Sequence, residues 1–321
     1  MILVILIMNN KNYTKLLNKI DKDLLKIYNK GPKSLLETYQ YTVLGKGKRI
    51  RPLLTILTSK SISGDYKKSY NAALAIEILH NFTLVHDDIM DNDSIRHGKK
   101  TIHEKWNVST AILAGDAMLA ISLNLLTNSK YDYKIIEAFN KGLLTVCEGQ
   151  ALDKEFEEKK NISEKQYLNM IEKKTSYLIA MSIEIGAIAY ELDKKDVKKM
   201  FNFGISIGKA FQIQDDFLEI MSNTKKMKKS LNSDIILGKK TYPILLCKQQ
   251  NNDFITELMT IKDVKKIIQE LRKFIIENNI DKKINKKIDK LYDEGLDSIK
   301  TVKLKNTELL KFTKLIKERK R

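Results

Sequence analysis

No proline occurs between Pro52 and Pro243. That run constrains the fold more than any other feature, because sheet-rich chains need frequent turn punctuation and proline supplies much of it. With three prolines and thirteen glycines in 321 residues, an all-β fold is excluded and long helices are expected. Periodicity agrees. Within 69–86, Ala72, Ala73, Ile76, Leu79, Phe82 and Thr83 recur at three- and four-residue steps, as on one helical face. The stretch 111–126 is apolar enough to be expected buried nearly all round, and 176–190 and 200–220 read the same way. Helix breaks are expected near 31–32, 45–47, 64–65, 92–100, 128–132, 158–163, 193 and 224–238. No linker or composition shift marks a boundary. The fold predicted is all-α: one domain over 1–321, a single large helical bundle with a central apolar cavity.

Charge narrows the function classes. There are 58 Lys and Arg against 40 Asp and Glu, a net charge of +18. Half of the excess lies in 262–321, where 19 basic and 10 acidic residues are mixed along a helical pattern. A solvated basic face accounts for this, no nucleic-acid-binding signature accompanies it, and no nucleic-acid partner is expected. Residues 1–12 form an apolar leader opening MILVILIM, far short of the roughly 20 residues that span a bilayer. It lacks the charged start and cleavage site of a signal peptide, and no transmembrane segment is expected. Cys147 and Cys247 cannot form a disulfide framework, so a reducing, cytoplasmic setting is the expectation.

Two acidic sets carry the chemistry. Asp87 and Asp91 stand four apart, on one helical face, with Asp88 beside them. Three carboxylates this close repel unless a cation neutralises them, and hard oxygen ligands suit Mg²⁺. The plain alternative is a solvated helix end, but acids there oppose the helix dipole. Asp215, Asp216 and Glu219 repeat the spacing 128 residues later. Two such sets suggest two helices facing each other across a cavity, holding several divalent ions for a diphosphate.

Basic segments punctuate the same region. Gly45-Lys46-Gly47-Lys48-Arg49-Ile50-Arg51-Pro52 puts four cations in a glycine-containing loop before a helix start. Arg96-His97-Gly98-Lys99-Lys100-Thr101, Lys173-Lys174-Thr175 and Gly238-Lys239-Lys240-Thr241 are weaker sites of the same kind. The four histidines, His80, His86, His97 and His103, match no zinc spacing. His80 lies two helical turns before Asp87, on the same face.

Together these motifs, in order over about 35–246, resemble the trans-isoprenyl diphosphate synthase (polyprenyl synthetase) family, most closely the short-chain geranylgeranyl and farnesyl diphosphate synthases of archaeal type. The resemblance implies that Asp87, Asp88, Asp91, Asp215, Asp216 and Glu219 are Mg²⁺ ligands, with three ions expected and Mn²⁺ able to substitute. Glu219 stands where the family usually has Asp. Lys48, Arg51 and His80 match isopentenyl diphosphate-binding positions. Arg96 matches a contact to the allylic diphosphate, and His97 replaces a second arginine used for isopentenyl diphosphate. Lys174, Thr175, Gln212 and Lys239 match the cradle of the allylic diphosphate, and Gly115-Asp116 and Gly149-Gln150 also fit. The implied reaction ionises a dimethylallyl, geranyl or farnesyl diphosphate, with Lys174 among the catalytic groups. Isopentenyl diphosphate attacks the cation, and a proton is lost.

The family's homodimer is implied too. In the family, an aromatic five residues before the first acidic set floors the product cavity. Phe82 holds that place and the small Thr83 follows it, so geranylgeranyl diphosphate is the expected product, with farnesyl diphosphate the alternative. A terpene cyclase or head-to-head synthase would not need Lys48, Arg51 and His80, and a non-catalytic subunit would not need both acidic sets.

Overall fold

A computed structural model of the chain describes residues 10–45, 47–129, 131–221, 239–258, 260–261 and 263–318. The expected break at 224–238, Lys46, Gly238 and the first nine residues of the leader lie outside the described residues. Helices dominate: α1 (Lys11–Ile27), α2 (Lys33–Val43), α3 (Ile50–Ser63), α4 (Tyr70–Met90), α5 (Ile102–Lys105), α6 (Val108–Asn128), α7 (Tyr133–Glu158), α8 (Glu164–Ile171), α9 (Tyr177–Ile188), α10 (Lys194–Met221), α11 (Tyr242–Gln250), α12 (Asn252–Leu258), α13 (Val264–Glu277), α14 (Ile280–Ser298) and α15 (Glu308–Lys317). The only strands among the described residues, β1 (Ile95–Arg96) and β2 (Lys99–Lys100), form a two-stranded hairpin.

Local chemistry sets the helix ends. The Asn10 side chain accepts from the Asn12 and Tyr13 amides to start α1, and Asn107 accepts from Thr110 to start α6. Ser163 and Gln166 form a reciprocal capping box on α8. Gly64, at φ +88, stops α3 in the left-handed conformation that glycine adopts without strain. Tyr13 of α1 packs edge-on against Phe312 of α15 at 5.4 Å between ring centroids.

The chain divides into two compact units: 1–143 with 181–200 and 302–320, and 144–180 with 201–301. In the first unit α4 packs along α6 and against α3, and α15 covers α3. Leu53, Leu54, Ile56 and Leu57 of α3 are completely buried. Each such side chain contributes roughly 1.5–3 kcal/mol of transfer free energy, so α3 is an anchored support for the loop before it. In the second unit α11 packs against α12, α13, α14 and α8.

One expectation fails. Helix α6 is not buried all round: Ile112 and Leu113 are 44% and 60% exposed. It packs on α4, α2 and α5, and among the described residues its opposite apolar face stays exposed at Ile112 and Leu113. By length and composition α6 is also apolar enough to cross a membrane, and a third of that stretch is buried.

Candidate active site

The first acidic set closes α4. Asp87 is half-buried, while Asp88 and Asp91 are buried, Asp91 being the residue that caps the helix. Asp88 meets the Arg96 guanidinium from the β1–β2 hairpin. Burial still pushes the Asp88 carboxyl up to about 7, with Arg96 opposing and the Asp93 and Asp87 charges adding. The hairpin turns through His97 (φ +52) and Gly98 (φ +80), left-handed positions that histidine tolerates better than most side chains and glycine adopts freely.

His80, two turns before Asp87, is the focus of the basic residues in this unit. Arg51 Nη1 donates to His80 Nε2 at 2.9 Å. Arginine can only donate, so Nε2 accepts and the ring proton sits on Nδ1. Burial first, then the charges of Arg51, Arg96, Arg49 and His97, hold the imidazole well below its usual pKa. His80 is therefore neutral, and a concentration of positive charge stands beside the first acidic set. Lys48 occupies the loop before α3, half-buried.

Further up the apolar side of α4, Phe82 is 8% exposed and packs edge-on against His86 at 4.8 Å. The His86 ring sits in a notch of α6: a Cβ on Gly115 would lie 2.1 Å from His86 Nε2, which contacts the Ile112 carbonyl oxygen at 3.2 Å. The Thr83 hydroxyl turns inward on its own helix and donates to the His80 carbonyl at 2.8 Å.

In the second unit, one hydrogen-bonded chain joins the other site residues. Thr175 Oγ1 donates to Gln212 Oε1 at 2.8 Å, and Gln212 Nε2 donates to Asp216 Oδ1 at 2.7 Å. Asp216 Oδ2 accepts from the Tyr167 hydroxyl at 2.6 Å and from the Tyr242 amide at 3.1 Å. Burial, then the Asp216 charge, keeps the Tyr167 phenol well above its usual pKa, so it stays a donor. Lys174 pairs with the Asp153 carboxylate. Asp215 and Glu219 stand four apart on α10, both half-buried, and Lys239 lies three residues before α11.

Lys174 and Thr175 do not lie on a regular α-helix. Glu172–Ser176 form a π turn that interrupts the run from α8 to α9. Two glycines let other backbones approach it. A Cβ on Gly149 would lie 2.2 Å from the Lys174 amide nitrogen, and one on Gly208 would lie 2.5 Å from the Ser176 Cα. The turn is thus wedged between α7 and α10 at places where a larger residue would force the backbone to shift.

The carboxylates suit Mg²⁺ in chemistry: all are hard oxygen donors. Among the described residues, no group of three metal-ligating side chains is assembled. That fits an ion that binds through one or two carboxylates, keeps waters and takes further oxygens from substrate phosphates.

Three residues here have roles that the motif spacing does not reveal, although Arg49 itself lies within the basic segment 45–52. Asp153 follows Gly149 by four positions on α7, and its pairing with Lys174 is visible only in the structure. Tyr167 and Arg49 gain their meaning from partners far away in sequence, Asp216 and Glu77.

Comparison with known proteins identifies the family. Residues 32–275 match the polyprenyl synthetase family. A geranylgeranyl diphosphate synthase of Sulfolobus acidocaldarius is 37% identical over 79% of this chain and 80% of its own. A geranylfarnesyl diphosphate synthase of Natronomonas pharaonis is 34% identical over 67% of this chain and 69% of its own. The crystal structure of geranylgeranyl pyrophosphate synthetase from Pyrococcus horikoshii superposes with a TM-score of 0.87 at 30% identity, covering 99% of this chain and 98% of that one. On this match of sequence and fold, the chain belongs to the polyprenyl synthetase family.

Proposed function

We propose that the chain is a Mg²⁺-dependent short-chain isoprenyl diphosphate synthase, condensing isopentenyl diphosphate with dimethylallyl, geranyl or farnesyl diphosphate to give geranylgeranyl diphosphate. The observation that carries this reading is the cationic cluster around neutral His80, which adjoins the first acidic set through the Arg96–Asp88 contact. An enzyme that only ionises an allylic diphosphate has no use for a second anion subsite, which disfavours a cyclase.

Lys48, Arg51 and His80 hold isopentenyl diphosphate, and His97 flanks them. Arg96, Lys174, Thr175, Gln212 and Lys239 receive the allylic diphosphate. Asp87, Asp88, Asp91, Asp215, Asp216 and Glu219 form the Mg²⁺-binding sets, with Asp216 oriented by Tyr167 and Gln212. Bound Mg²⁺ neutralises the diphosphate and eases its departure as a leaving group. The arginines and lysines add fixed charge to that oxyanion, and the apolar wall keeps water from the allylic cation. The isopentenyl double bond attacks C1, and the released pyrophosphate takes the proton. The enzyme acts in the cytoplasm as a homodimer, which would cover the exposed face of α6 at Ile112 and Leu113.

The test is turnover of isopentenyl and farnesyl diphosphates with and without metal. EDTA should abolish it, and Asp87→Ala and Asp215→Ala should each lower kcat by roughly 10² or more. Full activity in EDTA, or unchanged rates in both variants, contradicts the mechanism.

A further inference from the structure

Arg49 stands between Lys48 and Arg51 in the loop that enters α3, yet it faces inward. It is 5% exposed. Nε donates to Asp21 Oδ1 of α1 at 2.8 Å, and Nη1 donates to Glu77 Oε1 of α4 at 2.8 Å. Nη2 donates to the Val43 carbonyl and, at 3.2 Å, to the Gly45 carbonyl, both at the end of α2. With each of its nitrogens engaged by protein oxygens, the guanidinium is committed to the fold and not to a ligand.

Its backbone is committed as well. Arg49 is left-handed (φ 48, ψ 35) and serves as the residue before α3, its carbonyl accepting from the Leu53 amide at 3.2 Å. A non-glycine residue keeps that conformation only where its surroundings over-determine it. The loop backbone also lies close to the guanidinium, since a Cβ on Gly47 would be 3.3 Å from Nη1. Glu77 is three residues before His80, the partner of Arg51. Helix α4 is therefore tied at two adjoining places, to the loop by Glu77–Arg49 and to the first turn of α3 by His80–Arg51.

We propose that Arg49 is a positioning residue for the isopentenyl diphosphate subsite: its buried fork, held by Asp21, Glu77 and the end of α2, sets the junction of loop and α3 from which Lys48 and Arg51 reach the substrate. This rests on the function proposed above. Arg49→Lys keeps the charge but loses the fork, and Asp21→Asn removes the charge from one acceptor that is itself half exposed.

The experiment is calorimetric titration of the full chain with isopentenyl diphosphate alone, paired with steady-state kinetics and thermal unfolding. Arg49→Lys should weaken isopentenyl diphosphate binding about 10-fold or more, as loss of an orienting partner does. The KM for farnesyl diphosphate should stay near wild type, while the melting temperature falls, because buried Glu77 keeps only part of its partner. Asp21→Asn should shift the same constant in the same direction by less. In a Lys48→Ala, Arg51→Ala background the effect of Arg49→Lys should largely vanish, because both act through one loop. An effect that persists there, or an equal rise in both KM values, overturns the positioning role. Should Arg49→Lys not fold, Asp21→Asn decides: a selective loss of isopentenyl diphosphate affinity supports the proposal, and an unchanged constant overturns it. If the wild-type chain itself does not bind isopentenyl diphosphate, it is the proposed function that fails.

Discussion

At the scale of single residues, burial assigns unusual protonation states to groups that sequence alone treats as ordinary. Glu184 on α9 is one such group outside the motifs. Burial pushes its carboxyl up to about 7, with Lys141 opposing and the Glu137 charge adding. An unfolded glutamate titrates near 4.3, so between about pH 4.5 and 7 the folded chain holds a proton that the unfolded chain has lost. Folding stability from this residue therefore falls as pH rises through that window and stays low above it. Glu184→Gln should raise stability at pH 8 by up to about 3 kcal/mol and leave it nearly unchanged at pH 4. Urea unfolding at the two pH values checks this, and an equal shift at both contradicts it.

The same scale shows what the sequence makes legible. Asp87, Asp91, Asp215 and Glu219 announce themselves because their relation is a spacing along one helix. Asp153, Tyr167 and the Arg49–Glu77–Asp21 cluster do not, because their relation exists only once separate helices pack. His97 was legible as a departure from the family pattern, but its left-handed turn position was not.

At the scale of elements, helix positions follow from periodicity and capping residues, whereas the π turn at Glu172–Ser176 leaves no such trace. In the sequence Lys173-Lys174-Thr175 stands out only as a short basic segment before the helical stretch 176–190. The turn depends instead on Gly149 and Gly208, each too far away in sequence to be read with it. Gly149→Ala or Gly208→Ala should displace the turn and with it Lys174 and Thr175. The expected result is a KM for farnesyl diphosphate raised about 10-fold or more, as when groups that orient a site are lost, with the KM for isopentenyl diphosphate little changed. Unaltered kinetics in both variants would show that the turn does not depend on the close approach.

Helix α4 carries the product-length argument. Phe82 lies five residues, about 7.5 Å, before Asp87 along its axis. Its ring is fixed edge-on against His86, itself seated in the Gly115 notch. Phe82→Ala should lengthen the products while the first condensation proceeds at a similar rate. A product spectrum identical to wild type removes Phe82 as the floor. Helix α6 was misread from sequence for a physical reason: apolar composition reports that a face avoids water, not that the same chain covers it.

At the scale of the whole molecule, the all-α architecture was legible from scarce proline and glycine and from 3.6-residue periodicity. The division into two units was not, because no linker or composition shift marks it. The net charge of +18 also takes a narrower meaning. The cations that matter for the proposed chemistry are few and placed by the loop before α3, the β1–β2 hairpin, the π turn and the start of α11. The measurement that tests the account most directly is mass-spectrometric product analysis of the purified chain, given isopentenyl diphosphate and each allylic primer in Mg²⁺. Accumulation of geranylgeranyl diphosphate from dimethylallyl, geranyl and farnesyl primers is the result predicted. Cyclised hydrocarbons, or no condensation product with any primer, would contradict it.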